Sequence, residues 1–142
     1  MELRELRDEL EVEYAKLCVQ LYGMKAQPGG GAGSRFFGLV VEGKICAVVW
    51  LQKPGIFRPI FEKFGLDQSN SYFIRRVASC CPGDHAVKLL ELLAERMRAE
   101  GKELLVTLGL PDHSNALYRK AGFDEIGRSP RTGHPVFVRK LR

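Results

Sequence analysis

The stretch from residue 71 to residue 109 constrains the fold more than any other part of the chain. Residues 71–80 are rich in β-branched and aromatic side chains and predict a strand, which Pro82-Gly83-Asp84 ends. Apolar residues then recur at helical spacing from about 84 to 100, and Gly101 closes that pattern. Residues 103–109 predict a short apolar strand. Strand, helix and strand in this order are typical of a sheet with a helix packed on it.

The N-terminal third predicts a helix followed by a flexible loop. An amphipathic helix is expected over residues 3–22, ended by Gly23. The loop is expected over residues 23–34, where three successive glycines suit a segment that closes over a substrate. The apolar residues at intervals of three and four that predict the helix are Leu3, Leu6, Leu10, Tyr14, Leu17 and Leu21.

The remaining segments complete an α/β domain. A turn signal, Glu42-Gly43-Lys44, predicts a hairpin. The predicted elements are, in chain order, strands 35–42 and 45–51, an ambiguous helix within 56–66, the unit of 71–109, a helix over 113–121, and strands 123–128 and 134–140. They predict a single domain over residues 1–142, with a mixed central β-sheet flanked by helices on both sides.

Length and charge restrict the class of protein and its partners. The chain has 142 residues, of which 45% are hydrophobic and 27% charged, as in a soluble globular domain. The apolar runs are too short to span a membrane, and the charged N-terminus is no targeting signal, so a cytoplasmic protein is expected. A net charge of +5 favours an anionic partner, whether a phosphorylated cofactor, an acidic substrate or nucleic acid. The oligomeric state stays open.

Four cysteines, Cys18, Cys46, Cys80 and Cys81, carry no metal-binding spacing. We expect no metal site, reduced thiols, and core positions for Cys18 and Cys46. A cysteine near a helix N-terminus can act as a nucleophile, yet a structural role is favoured for Cys80 and Cys81.

The start of the predicted helix after Gly83 is a candidate anion site. A helix N-terminus presents unpaired backbone N–H groups and the positive end of the helix dipole. Gly83 permits close approach of the backbone to a phosphate. An ordinary strand-to-helix crossover accounts for the same residues, so this unit alone leaves both interpretations open.

A family resemblance rests on residues 115–123, Asn-Ala-Leu-Tyr-Arg-Lys-Ala-Gly-Phe, followed by Ile126-Gly127. This stretch resembles the C-terminal signature of the Gcn5-related N-acetyltransferases (GNAT), Leu-Tyr-x-x-x-Gly-Phe. The hairpin from Phe37 to Leu51 is similar to the central hairpin of that family. The resemblance covers roughly residues 35–128 in the family's order of elements, which implies the GNAT fold.

The resemblance implies acyl transfer from acetyl-CoA, or another acyl-CoA, to an amine of a small molecule or a protein. A bulge in strand 71–79 would splay it from strand 103–109, and the acyl-CoA would lie in the V-shaped gap. Tyr118 would protonate the departing thiolate. The cofactor would be held by backbone N–H groups near Val77 and Ser79 at the acyl carbonyl, by Asn115 at the pantetheine arm, and by Gly83, Asp84, His85, Ala86 and Val87 at the pyrophosphate.

Residues 81–86, Cys-Pro-Gly-Asp-His-Ala, depart from the family's phosphate loop, which reads Gln/Arg-x-x-Gly-x-Gly/Ala. Asp84 stands near a usual glycine, where it can cap the helix but opposes a pyrophosphate. The chain is also expected to lack the first strand typical of the family. A non-catalytic binding module is therefore an alternative function.

A second resemblance is to Mom-type DNA modification proteins within the same superfamily. It rests on the Pro-Gly turn and on a tyrosine helix that follows Leu110-Pro111-Asp112-His113. That likeness implies a nucleobase-modifying enzyme, with iron and with nucleic acid as a possible partner, and directs attention to Asp112, His113 and Tyr118.

Several roles stay open at the level of the sequence. A tyrosine at a helix end can also pack its ring and point its hydroxyl to water. Arg75 and Arg76, as strand neighbours, are expected on opposite faces, so that one of them can line a cleft. The candidates for a general base are Glu62, Asp67, Asp112 and His113.

Overall fold

A mixed β-sheet organises the molecule. The computed structural model describes residues 1–22, 34–111 and 114–142. Within them the sheet has seven strands in the order β1-β2-β3-β4-β5-β7-β6, and β4 and β5 form its parallel pair. The elements are β1 Glu2–Leu6, α1 Glu9–Tyr22, β2 Arg35–Val41, β3 Lys44–Gln52, a 3-10 turn Pro54–Phe57, α2 Arg58–Phe64, β4 Ser71–Ser79, α3 His85–Ala99, β5 Leu104–Leu108, α4 Ala116–Lys120, β6 Asp124–Arg128 and β7 Pro135–Lys140.

The N-terminus differs from the prediction, because the first residues form a strand. β1 pairs antiparallel with β2, from Glu2 opposite Val40 to Leu6 opposite Phe36. The predicted helix over residues 3–22 therefore begins only at Glu9, and the expected absence of a first strand is wrong. Asp8 separates the two elements, since its carboxylate accepts the backbone N–H of Leu10 at 2.8 Å and caps the helix.

The buried face of α1 is also different from the predicted one. Leu10, Tyr14 and Leu17 are 80%, 42% and 51% exposed, whereas Ala15 and Cys18 are buried against the sheet. The prediction counted Leu3 and Leu6 as helical residues, although both belong to β1. It therefore assigned the wrong side of α1 to the core. Small residues on the inner face let the helix approach the bulky sheet residues Phe36 and Trp50. The predicted loop over 23–34 lies outside the described residues except for Ser34.

Helices cover both faces of the sheet, as predicted. On one face α3 buries an apolar row that includes Leu89, Leu93 and Met97 against β2 to β5 and β7. On the other face α1 covers β1 to β3, and α2 covers β4, β5 and β7 through Ile60 and Phe61. Each fully buried side chain of this size contributes about 1.5–3 kcal/mol, so these rows fix how the helices lie on the sheet. None of the described helices has the length and apolar character needed to cross a membrane.

Cys46 and Cys81 form a disulfide, with their Cα atoms 4.9 Å apart. The expectation of reduced thiols is wrong for these two residues and is confirmed for Cys18 and Cys80, which are free. The antiparallel pairing of β3 and β4 brings the two segments together, since Cys80 donates its backbone N–H to the carbonyl of Cys46 at 2.8 Å. The strand register, which spacing along the chain does not reveal, therefore decides this bond.

Candidate functional site

A gap between β4 and β5 is the central feature of the site. The two strands pair from Ser71 opposite Leu104 to Ile74 opposite Thr107, and their pairing ends there. β3 continues alongside β4 as far as Ser79. Residues 75–79 therefore keep one strand edge that no strand of the described chain pairs with, and such an edge can hydrogen-bond an extended ligand. The predicted splaying of the two strands is confirmed.

A β-bulge at Arg75 marks the point where the strands part. Trp50 lies opposite Arg76 and Leu51 opposite Ile74, so Arg75 is the extra residue of β4. The predicted bulge is thus confirmed, and it interrupts the alternation that was expected to place Arg75 and Arg76 on opposite faces. The Arg75 guanidinium lies over the rings of Trp50 and Phe57, 5.3 Å from each centroid.

Tyr118 lies at the vertex of the gap. Its ring packs against Phe123 and Phe137, with centroids 5.8 and 5.5 Å away. Its hydroxyl lies near Thr107, and the Thr107 hydroxyl donates to the carbonyl of Ile74 at 2.9 Å, at the last paired position of β4 and β5. Burial raises the pKa of Tyr118, so the phenol stays protonated at neutral pH. The ring is packed, as the structural alternative required, and the side chain as a whole is half-buried, with its hydroxyl near Thr107.

Arg76 places a positive charge beside this phenol. Its Nε is buried without a hydrogen-bond partner, and its Nη1 donates to the carbonyl of Arg75 at 2.6 Å. Burial and the neighbouring charge of Arg75 lower the pKa of Arg76, and its own charge acts to lower that of Tyr118. Among the described ion pairs neither arginine has a carboxylate partner. A guanidinium held this way is ready to receive an anion.

The start of α3 retains free donors at the far end of the gap. Asp84 is the N-cap residue, yet its side chain makes no capping hydrogen bond. The backbone N–H groups of the first helical turn, at His85, Ala86 and Val87, therefore lack the usual side-chain acceptor. Gly83 has φ +113°, and a Cβ there would lie 3.4 Å from Nε2 of His85, whose Nδ1 is buried and unpartnered. The free backbone N–H groups of this turn suit a pyrophosphate group. The negative charge of the exposed Asp84 carboxylate would oppose such a group.

The other predicted cofactor residues take these positions. Val77 pairs with Val49 and Ser79 with Ala47, so both belong to the open-edged part of β4. The Ser79 hydroxyl donates to the carbonyl of Cys81 at 2.9 Å and holds the turn before α3. The cofactor roles of Val77 and Ser79 remain predictions.

Asn115 shapes the loop that follows β5. Its side-chain oxygen accepts the backbone N–H of Leu110 at 2.8 Å, and its amide nitrogen donates to the carbonyl of the same residue at 3.0 Å. A Cβ on Gly109 would come within 2.6 Å of that oxygen, so glycine is required there. The contact of Asn115 with a pantetheine arm remains a prediction.

Two candidates for a general base can be located. Asp67 accepts hydrogen bonds from the backbone and hydroxyl of Ser69 and from Asn70, and these bonds lower the pKa of its carboxyl group. A carboxylate committed to a turn in this way is a weak base, so Asp67 is a turn residue. Glu62 is exposed on α2. Asp112 and His113 lie outside the described residues. No group of three or more His, Cys, Asp or Glu side chains within the described chain is placed to hold a metal ion.

Two residues near Tyr118 were not predicted from the sequence. They are Thr107 and Arg76, whose charge acts on the Tyr118 phenol. Thr107 is the one hydroxyl-bearing residue in an otherwise apolar strand, and that interruption was the available signal. The electrostatic interaction of Arg76 with Tyr118 joins residues that are far apart along the chain, and no local pattern predicts it.

Comparison with known proteins identifies a viral relative by sequence. No protein-family model matches the chain. Uncharacterized protein 154 of Sulfolobus islandicus rod-shaped virus 1 is 43% identical over an alignment of 148 positions. The alignment covers 99% of this chain and 96% of that protein.

Solved acetyltransferase structures share the fold at low sequence identity. The structure of AAC(6')-Ib in complex with paromomycin and acetyl-CoA matches with a TM-score of 0.69 and 13% identity over 99% of this chain and 94% of that one. The aminoglycoside 6'-N-acetyltransferase of Enterococcus faecium matches with a TM-score of 0.66 and 8% identity over 100% and 98%. The ribosomal-protein-S18-alanine N-acetyltransferase of Escherichia coli matches with a TM-score of 0.61 and 14% identity over 96% and 91%. The chain therefore has the GNAT fold and belongs to the same family as protein 154 of Sulfolobus islandicus rod-shaped virus 1.

Proposed function

We propose that this protein binds an acyl-CoA, most simply acetyl-CoA, in the gap between β4 and β5 and transfers the acyl group to an amine. The observation that carries the proposal is the continuity of three features: the open edge of residues 75–79, the uncapped start of α3, and the buried hydroxyl of Tyr118. An extended pantetheine arm needs the edge, a pyrophosphate needs the helix start, and a departing thiolate needs a proton donor. The acetyl-CoA in the AAC(6')-Ib structure supports the same use of this fold.

The chain would bind and orient the cofactor mainly with its backbone. The N–H groups near Val77 and Ser79 would hold the acyl carbonyl, and those from Gly83 to Val87 would hold the pyrophosphate. Bound acyl-CoA supplies an acyl group already activated as a thioester. Orientation in a gap with buried walls then accounts for much of the rate, because the reacting groups are held together without loss of further entropy.

Two side chains would act at the reacting atoms. The amine nitrogen forms a bond to the acyl carbon, the carbon–sulfur bond breaks, and Tyr118 gives its proton to the departing sulfur. The raised pKa of Tyr118 keeps that proton available at neutral pH. Arg76, cationic and without a carboxylate partner among the described residues, would stabilise the negative charge that develops before the proton arrives. Glu62, Asp112 and His113 remain the candidates for taking the proton from the amine.

Acyl-CoA binding tests this proposal directly. At 100 times its Kd, acetyl-CoA should stabilise the fold by about 2.7 kcal/mol, which raises Tm by roughly 5–10 °C. Gly83→Ala should weaken binding by roughly tenfold, because it adds a Cβ at a positive φ beside the phosphate.

Gly43→Ala is the matched control for this experiment. Gly43 also has a positive φ, +79°, but it lies in the β2–β3 turn with nothing near its Cβ position. The Gly43→Ala protein should be less stable than the wild type but should bind acetyl-CoA with the same affinity. A Tm that does not change in millimolar acetyl-CoA would count decisively against the proposed function.

A further inference from the structure

A small apolar pocket lies where β5 leaves β4, on the opposite face of the sheet from Tyr118. Its volume is about 190 Å³. Most of its lining is apolar, and the β6–β7 turn adds polar side chains. The lining residues are Phe57, Pro59, Ile60, Leu108, Ser129, Pro130, Arg131 and Thr132. Sites that take up a whole small-molecule ligand are usually 300–1,000 Å³, so this one has room for a side chain rather than for a complete acceptor.

The pocket adjoins the proposed reaction centre through both strands. Leu108 follows Thr107, which lies near the Tyr118 hydroxyl. The Leu108 side chain packs with the α2 face, whereas Tyr118 packs with the α3 face. Phe57, on the other wall, carries the guanidinium of Arg75 over its ring. A group seated in the pocket would therefore lie beside the end of β5 and close to the bulge of β4, with Tyr118 on the other face of the sheet.

The charges around the pocket are positive. No carboxylate lines it, and Arg131 is its one charged residue. Among the described ion pairs neither Arg131 nor Arg75 has an acidic partner. Such surroundings oppose a polycation and favour a substrate that brings its own negative charge.

We propose that this pocket receives the apolar side chain of the acceptor, and that the acceptor is an amine that also carries an anionic group facing Arg131. The inference rests on the proposed acyl transfer and specifies its substrate class: a small apolar amino acid or a compound with the same three groups. Aminoglycosides, which the names of two fold neighbours include as ligand or as substrate class, would be excluded by their positive charge.

Calorimetric binding of acceptors to the protein saturated with CoA separates this inference from the proposed function, because no reaction occurs. Glycine, L-alanine, L-valine and L-leucine form the probe series. Affinity should rise by roughly fourfold for each methylene that enters the pocket. L-leucinamide, which lacks the carboxylate, and spermidine, which is a polycation, should bind more weakly than L-leucine.

Two variants locate the site. Thr132→Trp, at an exposed position, should fill the pocket and abolish the rise from glycine to leucine. Arg131→Ala should weaken L-leucine binding roughly two- to fivefold, as expected for an exposed ion pair, and leave leucinamide unchanged. Arg142→Ala, the matched control, removes one positive charge at the C-terminus and should change the binding of neither L-leucine nor leucinamide.

The outcomes are distinguishable. If CoA itself does not bind, the proposed function fails. If CoA binds but glycine and leucine bind equally, or spermidine binds best, or Thr132→Trp has no effect, the acceptor pocket is wrong while the acyl-CoA site stands.

Discussion

Tyr118 shows how one residue acquires a role from its surroundings. An isolated tyrosine on a short helix is equally consistent with packing and with catalysis. Here Phe123 and Phe137 hold the ring, Thr107 lies near the hydroxyl, and Arg76 supplies a positive charge that acts on it. Burial raises the pKa of Tyr118 above its usual value of 10, so the acid form persists through the whole neutral range.

Tyr118→Phe should reduce turnover by roughly 10²–10⁴-fold, because it removes the proton donor while the ring still packs. Unfolding free energy should fall by only about 1 kcal/mol, the value of one neutral hydrogen bond. Steady-state kinetics and urea unfolding measure the two effects. Tyr14→Phe, at a partly exposed position of α1, is the control and should keep full turnover. A Tyr118→Phe protein with full activity would show that the hydroxyl is structural.

At the scale of elements, the disulfide joins β3 to the turn that leads into α3. Cys81 lies directly before Pro82 and Gly83, so the bond restrains the backbone that we assign to the pyrophosphate. Cys80, its neighbour, contacts Cys18 and Tyr14, and burial raises the pKa of the Cys80 thiol to about 12. A raised pKa favours the thiol form of Cys80 and disfavours thiolate attack on the adjacent disulfide.

Reduction of Cys46–Cys81 should destabilise the fold and weaken acyl-CoA binding. Closing a loop with a sequence separation of 35 residues is worth about 2–4 kcal/mol of unfolding free energy. Urea unfolding and acetyl-CoA calorimetry, each with and without a phosphine reductant, test this. Cys81→Ser should behave like the reduced protein in both assays, while the matched variant Cys80→Ser should still respond to the reductant. Identical unfolding curves with and without reductant would contradict the prediction.

At the scale of the whole molecule, one charge network ties the N-terminus to the centre. Arg35 of β2 donates to Glu5 of β1 at 2.9 Å and to Glu100, directly after α3, at 2.7 Å, and its guanidinium lies over Phe37 and Tyr72. The bonds from Arg35, more than any other contact, lower the pKa of Glu5 from 4.5 to about 2. The network holds β1, an edge strand of the sheet, to β2 and to the end of α3.

The stability that Glu5 contributes should depend on pH in one direction. Because the folded-state pKa is depressed, the contribution is complete above about pH 4.5 and is lost as pH falls through about 2. Glu5→Gln should therefore reduce unfolding free energy by about 1 kcal/mol at pH 7, a value discounted for solvent exposure, and by progressively less at pH 4 and pH 3. Urea titrations of both proteins measure the difference. Glu2→Gln, exposed on the same strand, should show no such trend.

Much of the fold was predictable because its signals are local. Alternating and β-branched residues predicted the hairpin and β4, helical spacing predicted α3, and Gly122 with Phe123 marked the end of α4. The N-terminus was predicted wrongly because the leucines at positions 3 and 6 fit a helix by spacing, although β2 offers them a strand partner. The spacing of apolar residues shows which of them can lie on one face of an element. It does not show which other element packs against that face.

The candidate site divides in the same way. The chain by itself determined the tyrosine helix, the Pro-Gly turn before α3 and the order of elements, because each depends on neighbours within a few residues. Only the tertiary structure decided where β4 leaves β5, that Cys46 meets Cys81, and that Arg76 and Thr107 lie beside Tyr118. These contacts join residues more than ten positions apart, and their partners follow from strand register and packing, which arise only when the whole sheet has formed.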